Sequence, residues 1–184
     1  MNDLTHLADL VRIRNYVNNS VSQITGRPAE TGQIAEYLAG QIFDIDLHET
    51  FVFKASDGKF RSPVSIADKS VNVKYRSSSS RRLNLVESRD PHDHPAYYLA
   101  FRGPKMPKAP ANERTLPLVI EAVYLFSSAE LVQSLIADGV NQIGPSVRKE
   151  YWDKAMIYPA QVNQTLILTE EQRAALRLFA PQPA

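Results

Sequence analysis

The residues whose types and spacing suit chemistry are Asp57, Asn72 and Lys74. The segment 70–75 (SVNVKY) alternates strictly, so as a strand it sets Val71, Val73 and Tyr75 on one face and Asn72 and Lys74 on the other. A lysine two residues after an amide places a cation beside a neutral oxygen donor. Asp57 lies upstream in Ser56-Asp57-Gly58-Lys59 and joins them if its strand is a neighbour. Metal-dependent phosphodiester hydrolysis needs carboxylate oxygens to hold Mg²⁺. It also needs a cation near the attacking water or the phosphate. An Asp, a second oxygen donor and a Lys on adjacent strands meet both needs. Each residue also has a plainer reading. Asp57-Gly58 is a hairpin-turn signal, and Lys74 is a solvent-facing strand lysine. Asn72 is less expected, because Asn is depleted in strands.

Next to this strand lies a basic stretch with Lys69, Lys74, Arg76, Arg81 and Arg82, and no acid after Asp68. Guanidinium groups and the hydroxyls of Ser77 to Ser80 are good phosphate contacts. Arg76, Arg81 and Arg82 are therefore candidates for gripping a DNA backbone, with Lys105 and Lys108 extending the surface. A solvated loop is the plain alternative. Asp90-Pro-His92-Asp93-His94 crowds metal-ligand types together, but His6 and His48 lie far off and zinc needs about three protein ligands. A polar loop between strands is the simpler expectation. Tyr151, Trp152 and Tyr158 read as core rather than as a base-stacking platform. No glycine-rich phosphate loop, G-x-S-x-G or H-E-x-x-H is present.

The elements that must position these residues follow from periodicity. Helices are expected at 3–24 and at 32–43, the latter capped by Thr31 with the stripe Ile34, Leu38 and Ile42. Strands are expected at 49–54, 70–75, 83–87, 97–102, 118–126 and 165–168. Between 102 and 118 the chain holds a long proline-rich loop. Helices are expected at 128–138, around Trp152 within 146–157, and at 169–179 with Thr169 as cap. Two helices, then mostly strands, then a mixture favour an α/β or α+β domain with a central mixed sheet.

This layout resembles the PD-(D/E)xK nuclease superfamily, the restriction-endonuclease-like fold, over about residues 30–102. The carriers are the helix TGQIAEYLAGQIFDIDL, the turn ASDGKF and the strand SVNVKY, with YYLAFRGPK as the next core strand. The resemblance implies a four-stranded mixed sheet flanked by helices, with Mg²⁺ at one sheet edge. Lys74 matches the motif lysine and Asp57 the upstream acid, while Asn72 stands where Glu or Asp is usual. The missing carboxylate is then expected from another element. Glu36 on the second helix is the first candidate, ahead of Glu87 and Asp90. An ordinary surface glutamate is what Glu36 would be otherwise, since it sits off the apolar stripe.

Composition narrows the classes. The chain has 184 residues, a length suited to one domain, and a formal net charge of +1 from 21 basic and 20 acidic residues. With no cysteine, disulfides, thiolate zinc sites and cysteine nucleophiles are excluded. The N-terminus does not read as a signal peptide, and a cytoplasmic protein is the default expectation. The leading expectation is a Mg²⁺-dependent DNA endonuclease of restriction type, with Asp57, Glu36 and Asn72 toward the metal and Lys74 toward water or phosphate. Palindromic sites would favour a homodimer. The alternatives are a non-catalytic nucleic-acid-binding module on the same fold, which Asn72 favours, and an interaction protein using the first helix.

Overall fold

The structure, a computed structural model, describes residues 3–49, 55–88, 90–105, 117–140 and 146–181. Among them are five α-helices, a 3₁₀ turn at Pro91–Asp93 and one six-stranded sheet. The fold is a mixed α/β arrangement with helices on both sheet faces. The strands are β1 (Ile45–Leu47), β2 (Gly58–Phe60), β3 (Ser70–Ser77), β4 (Tyr97–Gly103), β5 (Ala122–Ser127) and β6 (Met156–Tyr158), in that spatial order. All neighbours are antiparallel except β3 and β4, which run parallel from Val71↔Tyr97 to Ser77↔Gly103. Six strands thus stand where the family resemblance implied four.

Alternation along the strands divides the core in two. Val71, Val73, Tyr75, Leu99, Phe101, Val123 and Leu125 pack beneath α2 (Thr31–Phe43) and α5 (Glu170–Arg177). On the opposite face Tyr98, Ala100, Tyr124 and Phe126 pack against α3 (Ser128–Ala137), α4 (Lys149–Ala155) and the buried Leu83 and Leu85. α2 buries Ala35, Leu38, Ala39, Ile42 and Phe43, the 3.6-residue stripe seen in the sequence. Its N-cap is Glu30 rather than Thr31, and no side chain caps it. α5 carries the expected Thr169 cap, as a capping box with Gln172.

α1 (Asp3–Thr25) has no buried residue. Among the described residues no helix is long and apolar enough to cross a membrane.

Several expectations are corrected. Asp57-Gly58 is not a hairpin turn: Gly58 begins β2 and pairs with Leu47 and Val71. A Cβ at Gly58 would come within 2.4 Å of the Asp46 carbonyl oxygen, so close approach of β1 is what requires glycine. Residues 83–87 form no strand; Leu83 and Leu85 are buried, but only Arg82 makes a bridge, to Ser146. Residues 165–168 likewise bury Leu166 and Leu168 without pairing in the sheet. β3 runs two residues further than expected, taking Arg76 and Ser77 out of the loop. Of the strand expected at 49–54, residues 50–54 lie outside the described residues, as does Lys108.

Candidate functional site

The site forms where β2 ends beside β3. Antiparallel pairing stops at Gly58↔Val71, and the chain before Gly58 no longer supplies backbone partners to β3 beyond that point. The Asp57 backbone N–H donates to the Val71 carbonyl at 2.8 Å. Its side chain then takes over the ladder: Oδ2 accepts the N–H of Val73 at 2.6 Å. A carboxylate thus replaces a strand partner at this edge. One residue earlier, the Asn72 side chain donates through Nδ2 to the Ala55 carbonyl at 3.4 Å. Asn72 is 7% exposed, and its Oδ1 is buried with no hydrogen-bond partner. A buried acceptor left unmatched costs about 1–3 kcal/mol, so something that supplies a positive charge or a donor would be favoured there.

α2 lies over this edge and brings Glu36. The Glu36 side chain is 14% exposed, and its Oε2 meets Arg27 Nη1 at 2.6 Å. Arg27 also donates to Gln33 Oε1 and to the His48 carbonyl, tying the start of α2 to the end of β1. Glu36 is therefore not the surface glutamate that its position off the apolar stripe allowed.

Electrostatics shows that these groups share one neighbourhood. Burial, then the charge of Asp57, pushes the Glu36 carboxyl up to about 7, against the pull of Arg27 and Lys74. Burial likewise raises Asp57, while the Val73 N–H, Lys74, Arg27 and His48 hold it down. The Lys74 ammonium is lowered by burial, opposed by Asp57 and Glu36 and reinforced by Arg76. The Asp57 charge disfavours ionisation of Glu36, and a bound cation would relieve that.

Among the described residues, no group of three or more His, Asp or Glu could hold a metal ion. The donor set is two carboxylates and one amide oxygen. This suits Mg²⁺, which keeps several waters and binds through one or two carboxylates plus substrate phosphates rather than in an all-protein cage. The unmatched Asn72 Oδ1 points the same way.

Of the residues chosen from sequence, Glu36, Asp57 and Lys74 are coupled electrostatically, and Asn72 lies two residues before Lys74 on the same strand face. Arg76 follows on β3, half-buried and pulled down in pKa by burial. Arg81 and Arg82 are exposed in the loop beyond. Glu87 and Asp90 are not among the charges that shift Asp57 or Lys74. His94 is buried with its two ring nitrogens against Tyr98 Oη and the Ser88 carbonyl, so this stretch is a structural loop. Trp152 is core, edge-on to Tyr124 and Phe126.

Arg27, Gln33, His48 and Ser56, whose Oγ lies 3.1 Å from His48 Nε2, were not visible as site residues. The one sequence signal for Arg27 is its place in the Gly26-Arg27-Pro28 break before α2. No protein-family model matches this chain, and no curated protein matches it.

Proposed function

We propose that this protein is a Mg²⁺-dependent DNA endonuclease of the PD-(D/E)xK type. The observation that carries the reading is the electrostatic coupling of Glu36, Asp57 and Lys74 where β2 ends beside β3, with the unmatched oxygen of Asn72 two residues before Lys74. Asp57 and Glu36 are the carboxylate ligands in this reading, and Asn72 adds its carbonyl oxygen. When bound, the ion supplies polarisation of the scissile phosphate and activation of water. Lys74 follows Asn72 on the same face of β3, and the charges of Asp57 and Glu36 favour its ammonium form. It neutralises charge that develops on the phosphate or orients the attacking water. The Val73 N–H fixes the Asp57 carboxylate, and Arg27 fixes Glu36, so both are set before substrate arrives. Arg76, Arg81 and Arg82 continue the positive surface toward a DNA backbone. DNA sets the compartment, and the cytoplasm is the one proposed.

The test is cleavage of plasmid and linear duplex with excess Mg²⁺, comparing wild type with Asp57→Ala and Lys74→Ala. Cleavage lost in both variants and in EDTA is expected. A folded wild type that binds DNA in a salt-sensitive way without cutting it would favour a non-catalytic binding module.

A second reading, self-association through α1, is favoured by one observation. Leu7, Leu10, Ile13, Val17 and Ile24 are 48–72% exposed and recur at three-, four- and seven-residue steps on one helix face. They present roughly 500 Å² of side chain, at the top of what monomers leave open. Two copies meeting along this stripe would bury about 1,000 Å² together, the lower bound of a specific interface. A two-fold dimer also suits cutting both strands of a duplex.

A further inference from the structure

A second site lies further along β3 and β4, away from the carboxylates. A cavity of about 400 Å³ opens there, lined by Ser78, Ser79, Arg81, Arg102, Tyr124, Lys149, Trp152 and Asp153. Its charge is unbalanced. Lys149 is paired with Asp153, while Arg81 and Arg102 have no acidic partner among the described residues. Two positive charges therefore line one concavity without compensation.

Arg102 is held rather than loose. Its Nη2 donates to the Ser78 and Ser80 carbonyls at 2.7 and 2.6 Å, and its guanidinium carbon lies 4.4 Å from the centre of the Trp152 ring. Its Nε is buried without a partner. A guanidinium stacked on an aromatic and fixed by two carbonyls is a preorganised cation for a planar or tetrahedral oxyanion. The register adds a second argument. Parallel pairing sets Arg76 directly beside Arg102, two like charges on adjacent strands, which is destabilising for the sheet alone. Lys74 is two residues back on the same face as Arg76, about 6.6 Å along the strand. A line of cations thus runs from Lys74 past Arg76 to Arg102 and Arg81.

We infer that this cavity is a phosphate subsite for a nucleic-acid strand whose neighbouring phosphate lies at Lys74. Choosing a strand phosphate over a free oxyanion rests on the nuclease reading of the carboxylate edge; the anion chemistry of the cavity does not.

Trp152 is the only tryptophan in the chain and stacks on Arg102, so its fluorescence reads the cavity directly. The experiment titrates the whole protein in EDTA with a short oligodeoxynucleotide and, separately, with inorganic phosphate. The oligonucleotide is expected to give a saturable change. Arg81→Ala, at an exposed position, should weaken it about ten-fold and lower the salt slope by about one. Arg102→Lys, which keeps the charge but not the fork, should weaken it as well, with circular dichroism confirming that both variants fold. A flat titration, or one unaltered in both arginine variants, overturns the subsite. Inorganic phosphate saturating the signal while the oligonucleotide does nothing overturns the strand assignment. Absence of cleavage with a normal titration would fault the nuclease reading and spare this one.

Discussion

Replacing Glu36 by glutamine keeps the shape of the side chain and removes its charge, and the effect should appear in how stability depends on pH. In the native protein, burial and the charge of Asp57 push this carboxyl from 4.5 up to about 7. The unfolded chain releases the proton near the ordinary value. Between those limits the native state holds more protons than the unfolded state, so stability falls as pH rises through the window. Below the window the neutral acid carries no penalty, and above it the full penalty persists. A shift of this size corresponds to about 3 kcal/mol, an upper figure because Asp57 titrates in the same pocket.

The measurement is urea unfolding in EDTA, followed by Trp152 fluorescence, from about pH 4.5 to about pH 8. The stability of Glu36→Gln relative to wild type should climb by about 2–3 kcal/mol across that range. A constant offset of about 1–2 kcal/mol from the weakened bond to Arg27 does not bear on the argument. Parallel curves would refute the claim that Glu36 is held unfavourably ionised at neutral pH. Repeating the series with Mg²⁺ extends the test. A cation that binds only the native state at a hundred times its Kd adds about 2.7 kcal/mol, and it should flatten the wild-type slope.

Asp57→Asn should abolish both cleavage and stabilisation by Mg²⁺ but leave the fold intact, because an amide oxygen can still accept the Val73 N–H; thermal melts with and without the cation would check this. Gly58→Ala should lower stability by about 2–3 kcal/mol or prevent folding, since the new Cβ meets the Asp46 carbonyl oxygen at 2.4 Å. A melting point equal to wild type would contradict that crowding. Paired Ile13→Glu and Val17→Glu changes on α1 should convert a dimer to a monomer by sedimentation with no loss of secondary structure. A wild type that is monomeric at all concentrations would remove the self-association reading.

The parts of the fold that are local in sequence were legible. The alternation of Val71, Val73 and Tyr75 gave β3 and its buried face, and the apolar stripe of α2 and the Thr169 cap of α5 stood in the periodicity. β1 and β6 were missed because each is three residues long and directly follows a helix, with Asp44 in a left-handed conformation making the first of these junctions. Leu83, Leu85, Leu166 and Leu168 carry the burial of strand residues without the pairing, and burial is what a sequence pattern reports. Asp57, Asn72 and Lys74 were legible as candidates by type and spacing, and Glu36 only through the family resemblance. Arg27 and Arg102 were not, because their partners at Glu36, His48, Ser78 and Trp152 are set by tertiary structure alone.

The asparagine at position 72 follows from charge balance at this edge. Burial raises the pKa of both Glu36 and Asp57, and the Asp57 charge raises Glu36 further, with Lys74 and Arg27 as the opposing cations. A third carboxylate at a position 7% exposed would add another desolvated negative charge and push Glu36 higher still. The amide supplies an oxygen without that penalty, but a neutral oxygen holds Mg²⁺ less firmly than a carboxylate. Asn72→Asp should therefore act with opposite signs. In EDTA it should destabilise the protein by about 1–3 kcal/mol. With Mg²⁺ it should recover more stability than wild type does, and bind the ion more tightly. In a purely structural polar network a further acid is only harmful. A variant weakened in EDTA and not rescued by the cation would therefore assign Glu36, Asp57 and Lys74 to holding β3 and α2 together instead of to holding an ion.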